Sequence, residues 1–408
     1  MDRVRNPYRT APGSDPPELA GRGAELGAAR YAIEMTKAGE PAKPLVFVGL
    51  RGMGKTALLR RVAADARESG GITIVGEADR SLRFGEVMRR ELAEALTRSE
   101  SLPSRLGSVI RRAIEKLPKI SYEIPHGAGS LQITGNETPA ADDLKANDSL
   151  EDLLLMLNEQ LHHHGRSLTI GLDEIQESRA DDLLRIIRVV HKTAGTEHPI
   201  LFVGAGLPNS APVLRSVRTY TERWAYFRLG LLTRADTFDA LDVPARALGV
   251  HWDQDAIEQV YVRTLGYPYF LQEYASAAWV HHRGERIAAD DVVATATGVQ
   301  RMLDESVYDR SFASITPREA IYALALHGLG PGTHHSEAIA GALSMEAADL
   351  SSVRTQLIKK DVIFSPARGL TEFRMPLTNE YIDRHLPELQ KRSRLGENAL
   401  KPKSRDER

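Results

Sequence analysis

The sequence predicts an α/β fold with a parallel β-sheet, followed by a helical region and a C-terminal winged helix-turn-helix. Short apolar runs alternate with amphipathic helical segments in the first half of the chain, which favours βαβ units. The pattern becomes helical from residue 235 to about residue 283. From residue 316, three helical stretches accompany two strand-like segments, which is the plan of a winged helix.

Composition excludes several classes of protein. The chain has 408 residues, which suits two or three domains, and its net charge of −2 gives no global attraction for nucleic acid. It has no cysteine, which excludes disulfides, thiolate metal sites and cysteine nucleophiles. No apolar run is long enough to span a bilayer, and the N-terminal residues lack an apolar signal segment. We therefore expect a cytoplasmic protein that does not bind membranes.

The first elements form a βαβ unit behind a polar segment. Residues 1–17 contain four prolines among polar residues, which predicts a flexible leader. The patterns then predict, in order, a helix at 24–37, a strand at 45–48, a helix at 56–68 and a strand at 72–75.

The next segments extend this alternation around a polar insertion. Residues 119–148 are rich in Ser, Gly, Asn, Pro and Asp and predict an exposed insertion, with one short hairpin at 120–133. The other predicted elements are helices at 84–98, 105–117, 149–165 and 181–193 and strands at 168–172, 200–203 and 226–229.

The C-terminal half is predicted as three parts. In the helical region, Pro244 breaks one helix and Pro268 opens another. The winged helix would consist of helices at 316–327, 336–343 and 347–360 and strands at 362–365 and 371–375. The last residues are rich in Lys and Arg with few apolar side chains, which predicts a basic disordered tail.

One motif carries nucleotide chemistry. The segment GLRGMGKT matches G-x-x-x-x-G-K-[ST] in full between a predicted strand and a predicted helix; its residues are Gly49, Leu50, Arg51, Gly52, Met53, Gly54, Lys55 and Thr56. Glycines let backbone N–H groups surround a phosphate, Lys55 adds a positive charge and the Thr56 hydroxyl ligates magnesium. The pattern would arise by chance about once in a hundred chains of this length. The alternative is a glycine-rich turn without a ligand, but the context favours binding of ATP with Mg²⁺.

Two carboxylates follow the predicted strand at residues 168–172. A carboxylate at the C-terminal edge of a parallel sheet lies where phosphates bind. Asp173 would hold the magnesium ion, and Glu174 would orient or deprotonate the attacking water. The alternative interpretation is that these acids only cap the next helix.

Six segments in this order resemble a group of prokaryotic AAA+ ATPases, which are similar in turn to origin-recognition and archaeal-type ATPases. They are LAGRGAEL at 19–26, GLRGMGKT at 49–56, LDEIQ at 172–176, VGAGLP at 203–208, TYTER at 219–223 and TLGYPYFLQ at 264–272. The resemblance covers about residues 18–386. It implies an ATPase domain at 18–233, a helical lid at 234–312 and a winged helix at 313–386, between a leader at 1–17 and a tail at 387–408.

The resemblance also implies roles for single residues. Arg22 lies in the segment that contacts adenine in such ATPases; the alternative is a helix N-cap. Arg223 matches the arginine finger, which acts on a neighbouring subunit and so implies self-association; the alternative is a surface salt bridge. Pro268 belongs to the Gly-x-Pro motif of the lid, although no sensor arginine follows the glycine. Asn209 is the candidate for the first sensor position.

The winged helix predicts a partner. In such domains the third helix can enter the major groove of duplex DNA. The polar side chains available for it are Ser351, Ser352, Arg354, Gln356, Lys359 and Lys360, with Arg368 on the wing. Nearby acids weaken this field, and winged helices also dock proteins. The sequence thus supports an ATP-dependent switch that engages DNA or a partner, or alternatively a nucleotide-gated scaffold with protein partners and little hydrolysis.

Overall fold

The computed structural model describes residues 5–11, 13–79, 84–98, 107–108, 111 and 143–394. The chain divides into two compact units. We call the first the sheet unit; it comprises Arg22–Gly49 and Lys55–Leu229. We call the second the helical unit; it comprises Met1–Gly21, Leu50–Gly54 and Gly230–Arg408.

The sheet unit contains a five-stranded parallel sheet, as predicted. Its strands are β1 (Leu45–Val48), β2 (Ile72–Glu77), β3 (Leu168–Asp173), β4 (Ile200–Gly206) and β5 (Ala225–Arg228). The strand order is β2-β3-β4-β1-β5, so β4 separates β1 from β3. Every residue of β1, β3 and β4 is buried, which explains why these strands are rich in apolar residues.

Six helices of the sheet unit are described. They are α1 (Gly23–Lys37), α2 (Lys55–Glu68), α3 (Phe84–Arg98), α4 (Asp143–His163), α5 (Ala180–Thr193) and α6 (Ser210–Val217). Apolar residues of α5 such as Leu183 and Ile187 pack with Ile170 and Phe202 of the strands in one core. This burial holds the carboxyl ends of the strands in a fixed arrangement.

The helical unit begins with four helices and two short strands. These are α7 (Arg234–Arg246), β6 (His251–Trp252), α8 (Gln254–Thr264), α9 (Pro268–His281), β7 (Arg286–Ile287) and α10 (Ala289–Leu303). Thr233 caps α7 in a capping box with Asp236, and α7 ends two residues after Pro244. Pro268 lies in the first turn of α9, where its missing N–H has no cost.

The remaining residues have the topology of a winged helix. A π-helical turn at Asp304–Asp309 leads into α11 (Arg310–Ala313), α12 (Pro317–Gly328), β8 (His334–His335), α13 (Ser336–Ala342), α14 (Ser351–Lys359), β9 (Ile363–Phe364), β10 (Leu370–Phe373) and α15 (Thr378–Arg394). The strands form an antiparallel sheet in the order β8-β10-β9. The sequence patterns did not predict the two-residue strand β8, because it is too short to show alternation.

The leader differs from the flexible segment that we expected. Tyr8 is only 3% exposed, and its ring contacts Trp252 and Trp279. Its hydroxyl accepts a hydrogen bond from the Trp252 indole at 2.7 Å and donates to the Leu241 carbonyl. Asn6 also donates to Ser276 at 2.8 Å. One buried aromatic ring offsets much of the entropy of ordering residues 5–11.

The described part of each of the other two segments expected to be irregular, the insertion and the tail, is helical. Helix α15 continues to Arg394 and buries Leu389, so residues 387–394 are not a disordered tail. Helix α4 begins at Asp143, six residues before the predicted start. The rest of the insertion with its hairpin, most of the predicted helix at 105–117 and residues 395–408 lie outside the described residues. Within the described part of the chain, no helix has both the length and the apolar character needed to cross a membrane.

Candidate nucleotide-binding site

The loop between β1 and α2 has the backbone of a phosphate cradle. Gly52 and Gly54 have φ angles of 72° and 83°, in the left-handed region that favours glycine. A Cβ on Gly52 would also lie 2.4 Å from the Tyr267 hydroxyl oxygen. Glycine at position 52 is therefore required by both backbone conformation and space.

Helix α2 presents its N-terminus at the end of this loop. Lys55 and Thr56 are its first two residues, and Lys55 is only 6% exposed. The first turn of α2 contains no acidic residue. The positive end of the helix dipole and the lysine thus add to one another, which suits an anion.

Asp173 ends β3 and is 7% exposed. The Thr56 hydroxyl donates a hydrogen bond to its carboxylate. Burial raises the pKa of Asp173, while this hydrogen bond and the Lys55 charge act in the opposite direction. A carboxylate and a hydroxyl oxygen that already meet are the hard oxygen ligands that Mg²⁺ prefers, so these residues fit the ion.

Glu174 lies directly after β3 in an unusual backbone conformation. Its φ and ψ angles are 50° and 44°, which is left-handed. Its backbone N–H donates to Asp173 Oδ1 at 2.8 Å, and its side-chain Oε2 accepts a hydrogen bond from Gln176 Nε2. The Glu174 side chain is partly exposed, so a water molecule can reach it.

Three other predicted site residues lie on separate elements. Arg22 is buried immediately before α1 and makes no side-chain cap to the helix. Pro268 lies in the helical unit, at the start of α9. Asn209 immediately precedes α6, but it is the neighbouring Ser210 whose hydroxyl contacts Gln176.

Arg223 is exposed at the end of the short 3₁₀ helix Thr219–Arg223, just before β5. It makes no ion pair with any residue in the described ranges. The salt bridge required by the alternative interpretation is thus missing among those residues.

Contacts of the loop residue Arg51 were not predictable from the motif. The buried Tyr267 donates its hydroxyl to the Arg51 carbonyl at 3.1 Å. Arg51 Nη1 lies 3.3 Å from Asp361 Oδ2, and the other oxygen of Asp361 pairs with Arg374 at 2.9 Å. The loop thereby contacts both the segment before α9 and the winged helix.

Of the four cations that were predicted to contact DNA, Arg354 and Lys360 bond within the winged helix, whereas Lys359 and Arg368 are exposed. Arg354 donates to Thr371, Ser365 and the Leu370 carbonyl at 2.7–2.8 Å, so it holds the wing in place. Lys360 lies 2.6 Å from the buried Glu319 carboxylate. The exposed polar residues of the third helix and the wing are Ser351, Ser352, Thr355, Gln356, Lys359 and Arg368.

Two known protein domains match separate parts of the chain. Residues 18–203 match the AAA ATPase domain, and residues 305–382 match a domain of unknown function, DUF8462. No curated protein matches the sequence.

Several solved structures are similar to the chain. The ORC1 protein of Aeropyrum pernix in complex with DNA is 17% identical over 96% of this chain and 97% of that one, with a TM-score of 0.46. Cdc6p of Pyrobaculum aerophilum is 14% identical over 96% and 98%, with a TM-score of 0.43. The Thermotoga maritima RuvB Holliday junction branch migration motor is 16% identical over 90% and 95%, with a TM-score of 0.43.

The matched range 18–203 contains the loop at Gly49–Thr56 and the pair Asp173 and Glu174. Both motifs occupy the positions that the resemblance requires, at the ends of β1 and β3. Residues 18–203 of this chain therefore match the AAA ATPase domain, which confirms the predicted resemblance to the AAA+ ATPases.

Proposed function

We propose that the chain binds and slowly hydrolyses ATP and acts as a nucleotide-dependent switch that engages duplex DNA through its winged helix. The observation that carries this proposal is the position of Arg51. This residue belongs to the phosphate-binding loop, yet it bonds to Tyr267 before α9 and to Asp361 in the winged helix. A change in the loop therefore reaches the winged helix through one residue.

The residues of the site divide the chemical work. Backbone N–H groups of the loop and Lys55 bind the phosphates, while Thr56 and Asp173 hold Mg²⁺. The bound ion supplies positive charge that offsets charge on the phosphate oxygens. Glu174 orients a water molecule and accepts its proton. By resemblance to the AAA+ ATPases, Arg22 contributes to the adenine side of the site, and Pro268 belongs to the Gly-x-Pro motif of the lid.

Coupling requires contacts that exchange at small cost. Arg51 and Asp361 are both about half exposed, and such ion pairs contribute about 0–1 kcal/mol. Asp361 keeps Arg374 as a partner when Arg51 leaves. A phosphate that favours one position of the loop can thus shift the winged helix between two arrangements, provided it binds one of them more tightly.

The exposed face of α14 suits a DNA groove. Ser351, Ser352, Thr355, Gln356 and Lys359 recur at helical spacing and are all exposed, and Arg368 is exposed on the wing. Hydroxyl and amide groups can contact base edges, and the two cations can contact phosphates.

A salt titration of DNA binding tests this proposal. With ATP present, we expect affinity for a DNA duplex to fall log-linearly with salt concentration, because each phosphate contact releases counterions. The double variant Lys359→Ala and Arg368→Ala should weaken binding across all sequences and reduce the slope by about 2. Fluorescence anisotropy over a series of salt concentrations measures both quantities.

A matched control separates location from net charge. Lys192 and Arg215 are exposed cations on the sheet unit, so their replacement by alanine removes the same charge from another surface. We expect that control to keep the wild-type slope. Equal slopes for all three proteins, or no DNA binding at low salt with ATP present, would contradict a DNA contact by the winged helix.

A second candidate function is a nucleotide-gated scaffold with protein partners and little hydrolysis. The internal bonds of Arg354 and Lys360 favour it, because they leave only Lys359 and Arg368 among the seven polar candidates as exposed cations. Two cations give a weaker field for DNA than the four that the sequence suggested. Absence of DNA binding together with a co-purifying protein would support this function.

Self-association through Arg223 gives a separate prediction. If the exposed Arg223 guanidinium stabilises charge on a neighbouring subunit's γ-phosphate, turnover per subunit should rise with protein concentration. Arg223→Ala should remove that dependence, whereas Arg215→Ala, at an exposed residue of α6, should retain it. A series of turnover measurements from dilute to concentrated protein checks this. Constant wild-type turnover per subunit would exclude a finger that acts in trans.

A further inference from the structure

Gln176 connects Glu174, which follows β3, to the segment that follows β4. It lies in the 3₁₀ turn Ile175–Glu177 that follows Glu174, and it is only 8% exposed. Its Oε1 accepts hydrogen bonds from the Leu207 backbone N–H at 3.0 Å and from the Ser210 hydroxyl at 3.1 Å. Its Nε2 donates to Glu174 Oε2.

The network fixes the orientation of the Gln176 amide. A backbone N–H can only donate, so the amide atom that faces Leu207 must be the oxygen. The NH₂ group is therefore directed to the Glu174 carboxylate. An ionised carboxylate can accept hydrogen bonds but cannot donate them. Donors and acceptors match at every contact, which is what a buried polar network needs to be stable.

The surroundings leave little space for any other arrangement. A Cβ on Gly206 would lie 2.2 Å from the Ser210 hydroxyl oxygen and 2.7 Å from Gln176 Oε1. Gly206, at the end of β4, thus leaves space for the hydrogen-bonded side chains of Gln176 and Ser210. Glu174 keeps its left-handed backbone, which costs a residue other than glycine on the order of 1 kcal/mol or more. Strain of this kind persists where neighbouring contacts hold it.

We propose that Gln176 is a positioning residue for Glu174: its amide ties the glutamate carboxylate to the Leu207–Ser210 segment after β4. This inference rests on the proposed role of Glu174 in activating water. A carboxylate held at one oxygen samples fewer rotamers and leaves its other oxygen for a water molecule. Loss of such orientation typically costs 10- to 100-fold in rate, while substrate binding is retained.

The variant Gln176→Glu tests this role because it replaces the NH₂ group of the amide by an oxygen and leaves the other oxygen in place. The new carboxylate has the same size and keeps the acceptor for Leu207 and Ser210, but it loses the donor and places a second negative charge beside Glu174. We expect kcat to fall roughly 10- to 100-fold and the Kd for ATP to change less than about twofold. Gln176→Leu should behave in the same way. Ser210→Ala should lose only a few-fold in kcat, since the Leu207 N–H still fixes the amide.

A double variant shows whether Gln176 acts through Glu174. In the Glu174→Gln background, we expect Gln176→Leu to cause no further loss in single-turnover hydrolysis, because effects that share one route are not additive. Additive losses would overturn the inference. So would near wild-type kcat for Gln176→Glu, or parallel losses of ATP affinity and thermal stability in both single variants, which would indicate a merely structural amide.

The same measurements distinguish this inference from the function on which it rests. If Glu174→Gln keeps wild-type turnover, then Glu174 does not activate water and the proposed function fails. If Glu174→Gln loses turnover while Gln176→Glu keeps it, the proposed function stands and the role of Gln176 fails.

Discussion

Lys55→Ala is expected to weaken ATP binding by roughly 10- to 100-fold, since a hydrogen bond from a charged donor to an anion contributes about 1.5–3 kcal/mol. Lys55 is the first residue of α2 and is almost fully buried. In the proposed site the rest of the loop would bind phosphate through its backbone, which the substitution leaves in place. Isothermal titration calorimetry with ATP and Mg²⁺ measures the change.

The control for this variant is Lys192→Ala, which removes the same charge from an exposed position on α5. It should bind ATP like the wild type. Thermal unfolding should show that Lys55→Ala is folded, because alanine keeps the helical backbone at the start of α2. Near wild-type affinity in Lys55→Ala would refute the assignment of the loop as the phosphate site.

The sheet and the loop were predictable because their signals are local. The glycines of the motif at Gly49–Thr56 predict a particular backbone conformation. In the structure, the glycines at 52 and 54 adopt the left-handed conformation that the motif needs. The buried strands β1, β3 and β4 are short segments rich in apolar residues, as expected for parallel strands that are buried on both faces.

The features that were not predictable depend on contacts between residues distant in sequence. A polar leader gave no sign that Tyr8 would bury its ring against Trp252, on an element far along the chain. Arg354 and Lys360 read as surface cations, because a sequence does not reveal that wing oxygens and Glu319 lie beside them. Counting charges on a helix therefore overstated the basic surface of the winged helix.

Gln176 illustrates the same limit within the site. The segment LDEIQ contains it, but its amide bonds to residues after β4, which only the parallel pairing of β3 and β4 brings near. An isolated amide after two acids is compatible with many surface turns. The one sequence signal was its place in a segment already assigned to catalysis.

Glu174→Gln is expected to keep ATP binding and to lose hydrolysis by roughly 100- to 10,000-fold, the range that general base catalysis contributes. The substituted amide oxygen can still accept the hydrogen bond from Gln176, so the side chain keeps its position while it can no longer accept a proton from water. The loss should therefore appear in kcat and not in the Kd for ATP. Phosphate release under saturating ATP measures kcat, and calorimetry measures the Kd for ATP.

Glu177→Gln, the same substitution three residues further along the chain, is the matched control and should retain turnover. Turnover of Glu174→Gln equal to that of the control would show that another group activates the water.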